Sequence, residues 1–263
     1  MKLGLISDIH GNLPALEAAL EAIDREGVDG CLCGGDLVGY GPMPNECVAA
    51  IAERGIPCVV GNHDLAAVGR IPSEDWIPLA RRTMEWTRSV LGADAREYLA
   101  ALPLTLAREG VLVAHGSLED PERYVIGPDQ AVLELARAVE REPGLRLLAL
   151  GHTHRALAAG ERRGLLLSDD TGTVSAPGGE RVVVNPGSVG QTRHGRTRAR
   201  FAVLDLGRGV VEFSALPYDV RRLRGALREA GLPSRAYNPR PSPRRWATRA
   251  LGPPARLLRR LRR

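Results

Sequence analysis

Short apolar runs alternate with helix-period stripes over the first sixty residues. Lys2–Ile6 is apolar, and Leu13, Leu16, Leu20 and Ile23 then recur on one helical face, with Asn12 as N-cap and Pro14 in the first turn. The same strand, loop and helix follow as Gly30–Cys33, a glycine-rich loop around Asp36 and a helix over 45–53, and a third unit begins with a strand over 57–60. Between Asp64 and Val111 the pattern predicts helix, with Trp76, Leu79, Thr83, Trp86 and Val90 on one core-facing stripe, then a strand pair near Leu104 and over 111–114. A strand over 146–150 follows. From Leu165 onward strands dominate, over 165–167, 181–184, 201–206 and 210–215, joined by glycine-rich turns, and a helix runs from Asp219 to Ala230. This order predicts an α/β protein with a second sheet packed on the first.

The polar residues that interrupt these runs are concentrated in a few places. Five of the six histidines fall in four short clusters, D8-x-H10, N62-H63-D64, H115-G116 and H152-x-H154, and a further carboxylate stands in G34-G-D36. Each cluster follows a predicted strand. Asp8, Asp36 and Asn62 recur at intervals of 28 and 26 residues, the length of successive strand-helix-strand units, which set equivalent loops side by side at the carboxyl edge of a parallel sheet. In an extended segment, side chains two apart leave on the same face. Asp8 and His10 are thereby placed as two ligands of one ion, and His152 and His154 repeat that geometry after their own strand.

Composition narrows the chemistry. The apolar and charged fractions, 44% and 25%, are those of an ordinary globular chain. No apolar run approaches the ~18 residues of a membrane span, the first strand begins at Lys2, and the expected location is the cytoplasm. Cys31, Cys33, Cys47 and Cys58 lie among apolar neighbours with no C-x-x-C spacing, which disfavours disulfides and a structural zinc knuckle. The net charge of +5 hides an asymmetry: residues 221–263 carry 14 arginines against one acid, Glu229, so the rest of the chain is net acidic. The expected division is a body over 1–232 and a basic, proline- and arginine-rich tail over 233–263, disordered or partly helical.

Aspartate, asparagine and histidine together suit a borderline or hard divalent ion at a site with open positions. Asp36 is the natural bridging carboxylate. Asp8, His10 and His154 with Asp36 are assigned to one ion, and Asn62, His115 and His152 with Asp36 to the other. Manganese, iron, zinc, cobalt and nickel all accept this set. His63, left without a metal, is placed to stabilise or protonate oxygens of a phosphoryl group, with Asp64 expected to orient it.

In order, D8-I-H10, G35-D36-L-V-G39, G61-N62-H63-D64, H115-G116 and G151-H152-T-H154 resemble the motif set of the calcineurin-like metallophosphoesterases over roughly residues 1 to 206. The extended forms D8-I-H-G-N12, G35-D-L-V-G-Y-G-P42 and N185-P-G-S-V-G-Q191 resemble the bacterial phosphodiesterase and diadenosine tetraphosphatase-like members. The resemblance implies a four-layer αββα sandwich of two mixed β-sheets flanked by helices, and a dinuclear phosphoesterase acting on phosphodiesters or dinucleoside polyphosphates. Its protein phosphatases carry an arginine after the G-D motif and end G-N-H-E, where this chain has Gly39-Tyr40-Gly41 and Asp64; phosphomonoesters and phosphoproteins are the secondary reading. A non-catalytic scaffold would be expected to lose ligands, and none is missing here. Asn185 or Ser188 is a candidate substrate contact, against a tight turn between strands. Tyr40 is a candidate lining residue, Arg193 and Arg196 candidate phosphate contacts, and His194 a surface histidine. In the tail, Leu257, Leu258 and Leu261 alternate with arginines as in a basic amphipathic segment, so nucleic acid or an anionic membrane is its expected partner if it is not simply solvated.

Overall fold

The computed structural model describes residues 1–167, 171–176, 179–193 and 195–238. His194 and the tail beyond 238, with its expected nucleic-acid or membrane contact, lie outside the described residues.

Two mixed sheets pack face to face. One has five strands in the order β2 (Gly30–Cys33), β1 (Lys2–Ile6), β10 (Ala199–Asp205), β11 (Val210–Leu216), β8 (Gly172–Ser175). The other has six, in the order β3 (Thr105–Arg108), β4 (Val111–Ala114), β5 (Leu147–Ala149), β9 (Val182–Pro186), β6 (Ala156–Gly160), β7 (Gly164–Leu167). Strands β1 and β2 are parallel in the first sheet, and β4, β5 and β9 in the second.

The period-two alternation of each strand divides its side chains between two cores. Leu3 and Leu5 of β1, Ala202 and Leu204 of β10, Val111 and Val113 of β4 and Leu147 and Ala149 of β5 meet between the sheets. Phe201 and Val203 point the other way, onto α1 (Leu13–Arg25), α2 (Pro44–Glu53) and α5 (Ala93–Ala101). On the far side, Leu112, Leu148 and Val183 pack against α6 (Pro128–Arg141). The result is the expected αββα sandwich. Helix α1 starts where the sequence places it, Asn12 Oδ1 accepting from the Ala15 amide at 3.3 Å, and buries Leu16, Leu20 and Ile23, each contributing about 1.5 to 3 kcal/mol.

Several expectations need correction. The helical stretch after Asp64 is three helices, α3 (Asn62–Ala67), α4 (Pro78–Val90) and α5. The buried face of α4 is Ala80, Thr83, Met84 and Thr87, whereas Val90 is exposed and Trp76 precedes the helix. Two threonines occupy that face, Thr83 donating its hydroxyl to Leu79 O at 2.9 Å, and of the expected stripe Thr83 is the member that lies on it. The strand over 57–60 is reduced to one parallel bridge, Cys33 with Cys58. Helix α6, whose buried face of Ala131, Glu134, Leu135 and Ala138 keeps helical spacing, and the alanine-rich strand β6, which has no β-branched residue, are both absent from the expected elements. At the carboxyl end, α7 (Val220–Glu229) is followed by residues packed on the body, not by the start of a free tail: Leu232, Ala236 and Tyr237 are buried with Leu223, Leu227 and Tyr40. No described helix is long and apolar enough to cross a membrane.

Candidate metal centre

All seven residues assigned as ligands converge where the carboxyl ends of the parallel strands of both sheets meet. Asp8 and His10 follow β1, Asp36 follows β2, His115 follows β4, and His152 and His154 follow β5. Asn62 opens α3 after the bridge at Cys58. The edge is thus built by two sheets, not one.

Extended backbone is not what pairs the ligands. Asp8, His10, Asp36, His152 and His154 have φ between 51° and 63°, the left-handed region that residues other than glycine occupy at a cost. Each loop curls just beyond its strand and turns successive ligands inward. Interlocking backbone bonds hold the curls: the Asp8 amide donates to Gly35 O at 2.9 Å, His10 to Asp36 O at 2.9 Å, and Gly151 to His115 O at 2.8 Å.

The converging atoms form two groups that share Asp36. Asp8, His10, Asp36 and His154 each offer an atom within 4.8 Å of the others, as do Asp36, His115 and His152. In the first group His154 Nε2 is 3.2 Å from Asp8 Oδ1 and 3.1 Å from His10 Nε2, and His10 Nε2 is 3.6 Å from Asp36 Oδ2. In the second, His115 Nε2 is 3.3 Å from Asp36 Oδ2 and 3.2 Å from Asn62 Oδ1. Fully buried Asp8 Oδ1 and Asp36 Oδ2 have no hydrogen-bond donor, and such a carboxylate oxygen is costly unless a cation faces it. Both point into the groups. The residues therefore fit divalent ions.

The orientation of the imidazoles supports the same reading. Nδ1–H of His10 donates to Val38 O at 3.0 Å, that of His115 to Gly34 O at 2.6 Å and that of His154 to Gln191 O at 2.7 Å, each leaving Nε2 for an ion. His152 is reversed: its Nε2–H donates to Glu122 O at 3.1 Å, leaving Nδ1. Metal-binding histidines are characteristically fixed this way through the far nitrogen. Asp8 Oδ2 accepts from Ser7 Oγ at 2.8 Å and the His152 amide at 3.1 Å, which turns Oδ1 inward. These backbone carbonyls, and Ser7, were invisible to residue-type reasoning.

Burial lowers the pKa of His10 to about 4 and those of His63 and His152 well below the ordinary imidazole value. For His115 burial acts downward too, but the charge of Asp36 close by prevails and lifts it to about 10. Burial, then the neighbouring Asp36, raises Asp64 to about 7.

His63 lies beside the ligands without belonging to either group, its ring 4.8 Å from that of His10, 4.7 Å from Tyr40 and 4.5 Å from Trp76. Tyr40 does line the site, edge-on to His10 at 4.8 Å. Asp64 does not orient His63. Its carboxylate accepts from the amides of Asp36 (2.8 Å), Leu37 (2.8 Å), Val38 (3.2 Å) and Gly61 (3.0 Å), which uses both oxygens, and His63 Nδ1 has no partner. Its role is to hold the backbone around Asp36. Glycine at 61 is required by close approach, since a Cβ there would collide with Oδ1 and the amide of Asp36.

Asn185 and Ser188 turn out to be braces. Asn185 Nδ2 donates to Gly151 O at 2.6 Å and Thr153 Oγ1 at 3.1 Å, and Ser188 Oγ donates to Asp8 O at 2.8 Å. Tyr124, not singled out by the sequence, lies over His152 at 4.0 Å between ring centroids and bonds Arg193.

A family model described as the calcineurin-like phosphoesterase superfamily domain matches residues 1–209. A crystal structure of a metallophosphoesterase from Sphaerobacter thermophilus superposes with a TM-score of 0.76 at 34% identity, over 90% of this chain and 96% of that one. An uncharacterized protein of Methanocaldococcus jannaschii, MJ0912, is 31% identical over 84% of this chain and 89% of its own length. The phosphodiesterase YfcE of Escherichia coli K12 is 28% identical over 72% of this chain and 86% of its own.

Proposed function

Since the chain belongs to the calcineurin-like phosphoesterase superfamily, we propose that it is a hydrolase that cleaves phosphodiesters or dinucleoside polyphosphates at a dinuclear metal centre. The observation that carries this reading is the sharing of Asp36 by two groups of buried ligands. That a relative is a phosphodiesterase supports the phosphodiester class.

Asp8, His10, His154 and Asp36 would hold one divalent ion, and Asn62, His115, His152 and Asp36 the other, a ligand set that accepts manganese, iron, zinc, cobalt or nickel. Such a pair, when bound, acidifies an attacking water and neutralises charge on the phosphoryl oxygens. The protein supplies the rest. Left-handed loops and carbonyl-anchored imidazoles fix the ligands before substrate arrives, so little reorganisation accompanies reaction. His63 hydrogen-bonds a phosphoryl or leaving-group oxygen, with its ring held by Tyr40 and Trp76. Asp64 keeps the Asp36 loop in place.

The test is chelator-stripped protein reloaded singly with Mn, Fe, Zn, Co, Ni or Mg and assayed on bis-p-nitrophenyl phosphate, p-nitrophenyl phosphate and diadenosine tetraphosphate. Metal-restored turnover, fastest on the first or third substrate, is expected. Turnover confined to the monoester would move the protein to the phosphomonoesterase reading, and tight ion binding without turnover on any of the three would make it a scaffold.

A further inference from the structure

We propose that Arg193 binds a phosphoryl oxygen of the substrate at the mouth of the metal centre, with Tyr124 as its positioning residue; this rests on the phosphoesterase reading and names the protein's own anion-binding group.

Arg193 and Tyr124 together span both ligand groups. Arg193 Nη2 is 3.4 Å from His154 Nε2 in the first group, and Nη1 donates to Tyr124 Oη at 3.3 Å. The Tyr124 ring lies against His152 of the second group, while the guanidinium carbon stands 5.9 Å from the centroid of that same ring. His154 Nδ1–H is committed to Gln191 O at 2.7 Å, so the nitrogen beside Arg193 is the one turned toward an ion. Any anion that reaches an ion held by Asp8 and His154 comes within range of the guanidinium.

Charge makes an anion the fitting occupant. Two divalent ions would outweigh the carboxylates of Asp8 and Asp36, and the guanidinium beside them adds to a positive field that favours an anion shared between arginine and ions. Phosphoryl oxygens match the planar donor fork of arginine better than the point charge of lysine.

The loop is also built to hold this side chain. The Thr192 amide donates to Tyr237 O at 3.1 Å, Gln191 Nε2 to Ala236 O at 3.1 Å, and Arg200 Nη1 to Thr192 Oγ1 at 2.8 Å. The backbone leading into Arg193 is thus pinned by residues 236 and 237, beyond the family match, which lowers the entropy lost on binding.

The test compares wild-type, R193K, R193A and Y124F proteins, all metal-loaded, by calorimetric binding of inorganic phosphate, by bound-metal content, and by KM and kcat on bis-p-nitrophenyl phosphate. R193A is expected to weaken phosphate at least tenfold with metal content unchanged, R193K to recover part of that loss, and Y124F to lose a smaller factor. Unchanged phosphate affinity in R193A, or a loss of metal in both R193A and R193K, overturns the assignment. The two readings fail separately. Arginine-dependent phosphate binding in a protein that hydrolyses no phosphoester would keep the anion site and remove the enzyme; hydrolysis indifferent to R193A would do the reverse.

Discussion

The backbone amide of His63 donates to Oδ1 of Asp36 at 2.8 Å. That single bond fixes which carboxylate oxygen is spent on the protein and which is left for ions: Oδ2 faces His10 and His115 at 3.6 and 3.3 Å and accepts from no donor. The first turn of α3 therefore sets the bridging group and, through its own side chains, delivers Asn62 and His63 to the same place.

In D36N the amide oxygen would keep the His63 bond, and Nδ2 would replace Oδ2 between the two groups. A donor facing two cations removes the shared anion and adds repulsion, so both ions should be lost together and turnover should fall by about a thousandfold or more. The stripped variant should melt below stripped wild type near neutral pH, because Asp36 is the partner that holds a proton on buried His115. Metal analysis beside melting in chelator checks this; D36N retaining both ions would show that Asp36 does not bridge.

Asp64 makes a contrasting prediction. Four amides donate to it, and truncation to alanine strands them in a buried loop at roughly 1 to 3 kcal/mol apiece before relaxation. D64A should lose about 3 to 5 kcal/mol of stability in denaturant titrations of the stripped protein, and D64N distinctly less, because its amide keeps one acceptor. Were Asp64 chiefly a partner of His63, D64A would cost activity without this loss of stability.

How much of this was legible follows from what sequence patterns can carry. The ligands stand out because histidine is scarce and clustered, but strand order does not separate His152 from His154, which both follow β5 and fall in different groups. The sign of φ leaves no trace in periodicity, so Asp8 and His10 were read as extended when both are left-handed. The carbonyls of Gly34, Val38, Glu122 and Gln191 that aim the imidazoles belong to backbone, which residue type does not report. Asp64 was misread because its neighbour in sequence is an imidazole, while its neighbours in space are amides. Helix α6 escaped because its core face includes Glu134, buried by accepting from the Leu118 amide at 3.3 Å and Arg137 at 2.7 Å.

His63 separates binding from chemistry. It lies against His10, yet contributes to neither ligand group, so H63N should leave metal content and melting temperature near wild type while kcat falls about 100- to 10,000-fold, the range for loss of a positioned proton donor or oxyanion contact. Loss of an ion in H63N would assign it to the metal shell instead.

Two truncations test where the body ends. Ending the chain at 238 keeps Leu232, Ala236 and Tyr237 in their cluster and keeps the bonds from Gln191 and Thr192; activity and melting should be unaffected. Ending it at 232 uncovers Leu223 and Leu227 and frees the loop whose Gln191 carbonyl orients His154. Stability should fall by about 2 to 5 kcal/mol, as for core truncation, with weaker metal binding. Equal behaviour of the two proteins in thermal melts would place the boundary at 232.

The proton held by His115 should be visible in the metal-free protein. Its pKa is about 10 when folded, because Asp36 outweighs burial, against 6.5 when unfolded. The raised folded value means that the native state keeps a proton the unfolded chain has released. The stabilisation is complete below the unfolded value and is lost as pH rises toward the folded one. Between about pH 7.5 and 8.5 His115 should cost stripped protein roughly 1.4 kcal/mol per pH unit, with Asp64 adding to the slope at the lower end and the burial-raised thiols of Cys31, Cys47 and Cys58 at the upper end. His10, His63 and His152, all shifted down, give an opposing slope that fades as the unfolded imidazoles finish losing their protons above about pH 7.5. An ion on Nε2 displaces the proton, so the metal-loaded protein should show no such decline. Urea titrations across this range, on wild type and on H115N with chelator, decide it: a slope no steeper in stripped wild type than in H115N would mean that His115 does not hold the proton that an ion must replace.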